Sequence, residues 1–197
     1  MALNKLFCKL SAVVLFALPL VANSSIITID NSDLGFSSSG LRTSEAKCCV
    51  DSAIGGYYMV DQKGSQGDYA IWDPTGYEEW VAGLWKVEMN WTSYWNRSKA
   101  APVTINTINA ADVSLFVDQR FNGGSWVDLG TYAFSQTSAS VKIDDSKSSS
   151  FSYFVADAVR FTLVKATESA VSQVNAPSGL ALLALSGLAL VGFRRSK

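Results

Sequence analysis

Hydrophobic and polar residues alternate with a period of two from Ser25 to Val164, in short runs separated by clusters of Gly, Asn, Asp and Ser. This pattern is typical of half-buried strands, and no run in the region has the spacing of an amphipathic helix of three turns. Eight or nine strands are expected, from SIITIDN to FSYFVADAVRFTLV. We therefore predict an all-β domain, a two-sheet β-sandwich of jelly-roll type, with a closed barrel as the alternative.

The run GLWKVEMNW alternates most regularly. One face of this strand carries Trp85, Val87, Met89 and Trp91. The other face carries Leu84, Lys86, Glu88 and Asn90. Because the first set is apolar and the second mostly polar, the first face is predicted to be buried and the second to be mostly solvent-exposed.

A hairpin is predicted where FNGGS joins the runs VSLFVDQR and WVDLGTYAF. Asn122-Gly123 suits a type I′ turn, in which both central residues need positive φ.

The last predicted strand places one carboxylate among apolar neighbours. Its common face carries Phe151, Tyr153, Val155, Asp157, Val159, Phe161 and Leu163. A buried carboxylate is unfavourable unless it is paired and hydrogen-bonded. We therefore expect Asp157 to pair with Arg97, or else with Arg120, in a structural polar network.

The first 24 residues have the layout of a secretory signal peptide. Lys5 and Lys9 precede the apolar run from Leu10 to Val21, and small residues follow. The alternative is an uncleaved anchor, for which the apolar run is short.

At the other end, residues 165–173 form a polar linker and residues 174–197 a tail with an uncharged run from Gly179 to Phe193. As a helix this run would be roughly 22 Å long, short for a hydrocarbon core of about 30 Å. The basic cluster after it, which includes Arg194 and Arg195, would hold its end in the cytoplasm. A marginal span favours a temporary membrane anchor over a permanent one.

Charge and composition exclude several functions. Five of the 16 basic residues lie in the two end segments, so the middle has 11 basic against 17 acidic residues, a net charge of −6. Such a surface repels phosphate backbones, and nucleic acid is not an expected partner. The chain has no histidine, which excludes Ser-His-Asp and Cys-His nucleophile systems and removes the usual ligand of a catalytic zinc.

Cys48 and Cys49 are the cysteines of the exported part, because Cys8 lies in the signal peptide. Adjacent Cα atoms are about 3.8 Å apart, below the usual span of a disulfide. A strained vicinal bridge, two free thiols and a bridge to another chain all remain open.

Aromatic side chains are the candidates for ligand binding, because their flat faces stack on sugar rings while nearby polar groups bind the hydroxyls. Tyr94 and Trp95 lie in the polar loop after GLWKVEMNW, beside Asn96 and Arg97. The weaker candidates are Trp80, which follows Glu78 and Glu79, and Trp126. Trp85 and Trp91 are assigned to the core, and Trp72 to the core or its rim.

Catalysis and metal binding have weaker support. A glycosidase needs two carboxylates at a set separation, but Glu88 falls on the exposed face and Glu78 and Glu79 in a polar loop. We assign no catalytic residue, no metal ligand and no cofactor, and expect a protein that is not an enzyme. DNSD at Asp30 to Asp33 and the pair Asp144-Asp145 could bind a structural calcium ion, although neither has a bidentate spacing.

Several stretches together resemble a known family: IDNSDLGFSSSG, AIWDP, GLWKVEMNWTSYWNRSKAAPVTI, VDQRFNGGSWVDLGTYAF and YFVADAVRF. They are similar to the golvesin C-terminal-like domain, which also accompanies xanthan lyases and resembles carbohydrate-binding modules. The resemblance covers about Ile26 to Leu163, within a domain of residues 25–164, and implies a non-catalytic β-sandwich. The segment from Glu45 to Val60 departs from it.

The tail VNAPSGLALLALSGLALVGFRRSK resembles a PEP-CTERM sorting signal, with a proline motif, a transmembrane stretch and a basic cluster. That family usually has Val-Pro-Glu-Pro. This chain has Val174, Asn175, Ala176 and Pro177 in its place. The resemblance implies export across the inner membrane of a Gram-negative-type bacterium, processing by exosortase-type machinery, and a location at the cell surface or outside the cell.

Together these features predict an exported, non-catalytic protein whose β-sandwich binds polysaccharide or exopolysaccharide. The alternative is a structural or adhesive protein of the biofilm matrix without a defined sugar ligand. A carbohydrate-active enzyme is the third hypothesis.

Overall fold

The structure, a computed structural model, describes residues 24–43, 49–61, 67–108, 111–146 and 152–167. Outside these residues lie Phe151, Cys48, nearly all of the predicted signal peptide, the end of the linker and the sorting tail. Within them, helical structure is confined to 3-10 turns at Val50–Ser52, Ile54–Gly56 and Pro74–Gly76. No helix in this part of the chain is long and apolar enough to cross a membrane.

Twelve strands form the described part of the fold. They are β1 (Ile26–Ile29), β2 (Phe36–Ser39), β3 (Arg42–Thr43), β4 (Met59–Val60), β5 (Tyr69–Trp72), β6 (Gly83–Asn90), β7 (Ala101–Asn106), β8 (Val113–Val117), β9 (Val127–Phe134), β10 (Ser140–Asp144), β11 (Val155–Ala156) and β12 (Ala158–Ala166). One sheet has the order β1-β12-β6-β9 and the other β2-β5-β10-β7-β8. The predicted two-sheet sandwich is therefore confirmed, and a small third sheet, β11-β4-β3, lies beside it.

The core lies between the two main sheets and follows the predicted alternation. On β6, Trp85, Val87 and Met89 are buried, and Val87 faces Phe161 of β12 across the ladder. On the five-stranded sheet, Trp72 of β5 pairs with Val141 of β10. Trp72, Trp85 and Trp91 are all at most 2% exposed, as the sequence predicted.

The outer face of β6 is less exposed than its polar residues suggested. Glu88 is only 7% and Asn90 only 2% exposed. Arg160 of β12 donates from Nε and Nη2 to Glu88 Oε2, at 2.9 and 2.8 Å, and Lys86 Nζ lies 2.9 Å from Oε1. Burial raises the pKa of Glu88, but these cationic donors outweigh it and hold that pKa below its usual value. The prediction failed here because the covering cations come partly from a neighbouring strand.

The predicted hairpin at Asn122-Gly123 is wrong. β8 pairs with β7 and β9 pairs with β6, so the two runs belong to opposite sheets. Asn122 has a φ of 60° and Gly124 one of 74°, but Gly123 is not a positive-φ residue. The segment between β8 and β9 therefore crosses the end of the sandwich.

The predicted last strand is broken in two at Asp157. β11 joins the small sheet through β4, whereas β12 joins the four-stranded sheet through β1 and β6. The early GGYYMVD run is likewise shorter than predicted, since its strand is limited to Met59–Val60. Asp157 thus lies at the point where the chain changes sheets.

Candidate functional site

The predicted ligand-binding loop follows β6 and is fixed at both ends. At its start, Trp91 Nε1 donates to the Phe121 carbonyl and Gly124 N donates to the Trp91 carbonyl, both at 2.9 Å. At its end, Ser98 N donates to the Tyr153 carbonyl at 2.7 Å. Between these anchors, Arg97 N donates to the Tyr94 carbonyl at 3.1 Å, which closes a turn.

This turn projects two aromatic side chains outward. Trp95 is 76% exposed and Tyr94 is 40% exposed, and their ring centroids are 6.0 Å apart with an interplanar angle of 46°. Large aromatic side chains usually gain from burial, so a tryptophan this exposed on a hydrogen-bonded loop is unusual. The pair forms an open apolar surface that the face of a sugar ring can cover.

Arg97 points the other way, although it was a candidate for ligand contact. It is 5% exposed, and its Nη2 donates to the Tyr58 hydroxyl at 2.7 Å while its guanidinium lies 5.2 Å from the centroid of the Tyr58 ring. Its Nη1 donates to Asn96 Oδ1 at 3.3 Å, and the Asn96 carbonyl accepts from Tyr153 N at 3.0 Å. Arg97 and Asn96 therefore hold the turn in place, and Tyr94 and Trp95 carry its exposed surface.

Gln119, after β8, connects the loop region to the small sheet. It is fully buried, and its side chain exchanges two hydrogen bonds with the backbone of Val155, at 2.8 and 2.9 Å. Its backbone N donates to the Ser98 carbonyl at 2.9 Å. One side chain thus joins the loop after β6, the segment after β8 and β11.

The predicted pairing of Asp157 with an arginine is wrong. Asp157 is fully buried, and the donor that reaches its Oδ2 is Ile54 N, at 3.3 Å. Arg97 is bound to Tyr58, and Arg120 forms a two-pronged ion pair with Asp118. Burial, with a smaller contribution from the charge of Asp30, raises the pKa of Asp157 to about 8. The carboxyl is therefore protonated at neutral pH, which removes the need for a cation.

A second buried carboxyl lies near two others. Asp61 is 3% exposed, and burial, followed by the charges of Asp68 and Asp145, raises its pKa to about 7. A backbone hydrogen bond from Phe154 and the charge of Arg97 act in the opposite direction. Asp61 therefore changes its protonation state near neutral pH, below the range in which Asp157 does.

The carboxylates of the two stretches considered for calcium are engaged by donors of the protein itself. Asp30 Oδ1 accepts from Asn31 N at 2.7 Å, and Asp33 Oδ2 accepts from Asp30 N at 2.9 Å. Asp144 is paired with Lys142 at 3.0 Å. In the described ranges, no group of three or more acidic or cysteine side chains is arranged to hold a metal ion. Cys49 is half-buried, and its relation to Cys48 lies outside the described residues.

The two weaker aromatic candidates are not open platforms. Trp80 is 2% exposed, stacks on Trp85 at 4.4 Å and donates from Nε1 to the Ser135 carbonyl at 3.1 Å, so it belongs to the core. Trp126 is half-buried, and the Arg160 guanidinium lies 4.4 Å from the centroid of its ring.

The sequence reasoning missed two exposed phenylalanines beside the loop. Phe116 is 61% and Phe121 is 60% exposed, and the Arg120 guanidinium lies 5.1 Å from the centroid of the Phe121 ring. The predicted sugar platforms were tryptophan and tyrosine, and the predicted hairpin placed Phe116 on a paired strand and Phe121 in the turn segment. The polar residues around Phe121, in the segment VDQRFNGG, are the sequence feature that could have indicated its exposure.

Comparison with known proteins gives a consistent assignment. A xanthan lyase of Bacillus sp. (strain GL1) is 30% identical over 141 residues, which are 70% of this chain and 15% of the relative. The solved structure of a Paenibacillus xanthan lyase matches with a TM-score of 0.59 and 26% identity, covering 71% of this chain and 13% of that one.

A CBM35 from Cellvibrio japonicus Abf62 matches with a TM-score of 0.45 and 13% identity, over 73% of this chain and 95% of that one. The chain spans only about one seventh of the length of each of the two xanthan lyases. The model of the golvesin C-terminal domain matches residues 27–163, nearly the whole described region. The protein belongs to the golvesin C-terminal domain family.

Proposed function

We propose that this domain binds polysaccharide through Tyr94 and Trp95 and has no catalytic activity of its own. The observation that carries the proposal is the 76% exposure of Trp95 on a loop that is otherwise held by buried hydrogen bonds. A rigid loop binds at a smaller entropic cost than a flexible one, because its side chains are already ordered.

The relatives support this class of ligand. The two xanthan lyases are named for a polysaccharide, and the domain matches only a small part of each. A domain that makes up only a small part of a polysaccharide-degrading enzyme is well suited to holding the polymer. We infer the same role for this chain.

The carboxylates support a non-catalytic role. Glu88 is engaged by Lys86 and Arg160, which hold its pKa low and leave it unsuited to act as a general acid. Glu78 and Glu79 are exposed in a loop. A carbohydrate-active enzyme would need two carboxylates facing each other across a substrate site.

We further propose that the protein is exported and acts at the cell surface or in an extracellular matrix. The signal-peptide layout of the first 24 residues and the sorting-type tail after Val174 support this location. Exosortase-type machinery would act on the tail, and the membrane would be a transient partner.

Affinity electrophoresis tests the binding role, with xanthan and the exopolysaccharide of the producing strain in the gel. The wild-type protein should be retarded by at least one polymer, and Trp95→Ala should weaken binding about tenfold, since stacking accounts for about 1–1.5 kcal/mol. Leu34→Ala is the matched control, because Leu34 is also exposed, at 73%. Binding to neither polymer, together with self-association that rises with concentration, would favour the alternative of a structural matrix protein.

A further inference from the structure

We propose that the groove between β8 and β9 is a second sugar subsite, which holds an uncharged pyranose residue of the same chain that covers Trp95. This inference rests on the proposed function. It adds two properties of the ligand: the bound sugar chain is long enough to reach two subsites, and the residue in the groove is uncharged. The groove has a volume of about 340 Å³, within the range of small-molecule sites.

The groove has an apolar lining with exposed aromatic rings. Trp91, Leu115, Val127 and Leu129 contribute to its wall, and Phe116 and Phe121 are its exposed aromatic residues. A pyranose has apolar C–H faces that stack on such rings. Phe116 and Phe121 are otherwise unfavourable on a soluble surface, so covering them stabilises the bound state.

The polar groups of the groove favour an uncharged sugar. Asp118 and Asp128 line it, and Arg120 beside it is already bound to both carboxylate oxygens of Asp118. Carboxylates accept hydrogen bonds from sugar hydroxyls. The two cations beside them, Arg120 at Asp118 and Lys86 at 3.6 Å from Asp128, are already paired and so are not available to bind a uronate or another acidic substituent. The excess of acidic residues in the middle of the chain likewise disfavours an acidic sugar.

The β9 edge of the groove is unsuited to pairing with an extended peptide. The β6–β9 ladder has a register shift between Val87 and Glu88, so Leu129 is an extra residue on the β9 side. Gly130, next to it, has a φ of 119°. Such a bulge disrupts the edge that an added strand would use, whereas a sugar ring needs no regular ladder.

The segment after β8, which lines the groove, touches the Trp95 loop. A Cβ on Gly123 would lie 2.3 Å from Ser93 N, so the two backbones touch at this point. Trp95 is two residues after Ser93 and Phe121 two residues before Gly123, so each Cα lies within about 8 Å of the contact. One oligosaccharide can therefore extend from Trp95 into the groove.

Isothermal titration calorimetry of the full chain tests this arrangement. The probes are neutral β-1,4-glucan oligosaccharides from dimer to hexamer, oligogalacturonates of the same lengths, and xanthan. The wild-type affinity should rise with the length of the neutral series, exceed that for the acidic series, and change little with salt.

Phe116→Ala and Phe121→Ala should each weaken hexamer binding about tenfold and leave dimer binding nearly unchanged, whereas Trp95→Ala should weaken both. Both phenylalanines are exposed, so the variants should fold. Ile26→Ala is the control, since Ile26 is 60% exposed on β1, at the opposite edge of the sheet from β9.

The outcomes separate the two proposals. If Trp95→Ala weakens binding and both phenylalanine variants bind the hexamer normally, the second subsite is wrong and the proposed function stands. If the wild-type protein binds none of the probes but is retarded by the exopolysaccharide in affinity electrophoresis, the subsite for a neutral sugar is wrong and the proposed function stands; if it is retarded by no polymer either, both fail. If the phenylalanine variants bind the hexamer normally and change only the molecular mass measured by analytical ultracentrifugation, the groove is a contact between copies of the chain and the subsite is overturned.

Discussion

The backbone N–H of Ile54 donates to Oδ2 of Asp157, which lies 103 positions later in the chain, at a distance of 3.3 Å. This contact joins a 3-10 turn to the point where the chain passes from β11 to β12. No donor among the described residues reaches Oδ1, and burial favours the neutral carboxyl. The surroundings therefore favour a protonated aspartate at this junction.

Stability should fall as the pH rises from about 4 toward 8. The pKa values of Asp61, about 7, and Asp157, about 8, both exceed the ordinary value of an aspartate, about 3.9, so the folded state binds more protons than the unfolded state in this range. Each group lowers the free energy of unfolding by at most about 1.4 kcal/mol per pH unit. Urea denaturation followed at a series of pH values measures the slope.

The variant Asp157→Asn should reduce that slope, because the amide keeps the shape and an acceptor for Ile54 N but does not titrate. Asp157→Ala should instead lower the melting temperature at every pH, since it removes the acceptor and leaves a cavity. An Asp157→Asn protein with the wild-type slope would contradict the assignment of the neutral carboxyl.

Two tryptophans that the sequence placed in the same candidate set should behave in opposite ways. Trp80→Ala should lower the free energy of unfolding by about 3–5 kcal/mol, because it removes a buried ring that stacks on Trp85. Trp95→Ala should change it by less than about 0.5 kcal/mol, since the ring is exposed. Thermal and urea denaturation measure both values, and a strongly destabilised Trp95→Ala would show that the ring serves the fold.

Gly123→Ala should destabilise the binding end of the sandwich. The added Cβ would lie 2.3 Å from Ser93 N, so one backbone must move, at a cost of about 1–3 kcal/mol. Gly76→Ala is the control, because its Cβ would meet only Leu34 Cδ2, at 3.8 Å. Equal melting temperatures for the two variants would argue against the close approach of the two loops.

If the protein is exported and processed, its mature form should be shorter than the full 197-residue sequence. Intact-mass spectrometry of the protein recovered from the producing strain should show loss of the N-terminal segment after Ala22 or Ser24 and loss of the basic cluster at the C-terminus. A mass that still includes the residues up to Lys197 would mean that the tail is an ordinary anchor.

The sandwich and its core could be predicted because β6 and its neighbours follow a local rule. Trp85, Val87 and Met89 alternate with polar residues, and period-two alternation depends only on residues close in sequence. The exposure of Tyr94 and Trp95 could be predicted for a similar reason, because the residues next to them in sequence form a polar loop.

The errors concern partners that are distant in sequence. Glu88 is covered by Arg160, 72 positions away, and the carboxyl of Asp157 accepts from Ile54. The hairpin failed for the same reason, because Asn122-Gly123 is compatible with a tight turn while β8 and β9 have their partners elsewhere. Local pattern shows which face of a strand is buried, but not which strand covers it.

The separation of β8 and β9 into opposite sheets has a consequence for how specificity can change. No ladder in the described structure links the two strands, so the segment between them does not set the register of either sheet. Gln119 and Gly124 fix its ends through Val155 and Trp91. Apart from Gly123, whose backbone touches Ser93, the residues between these two fixed points can be exchanged for others, which makes this short crossing a natural place to graft recognition of a different polymer.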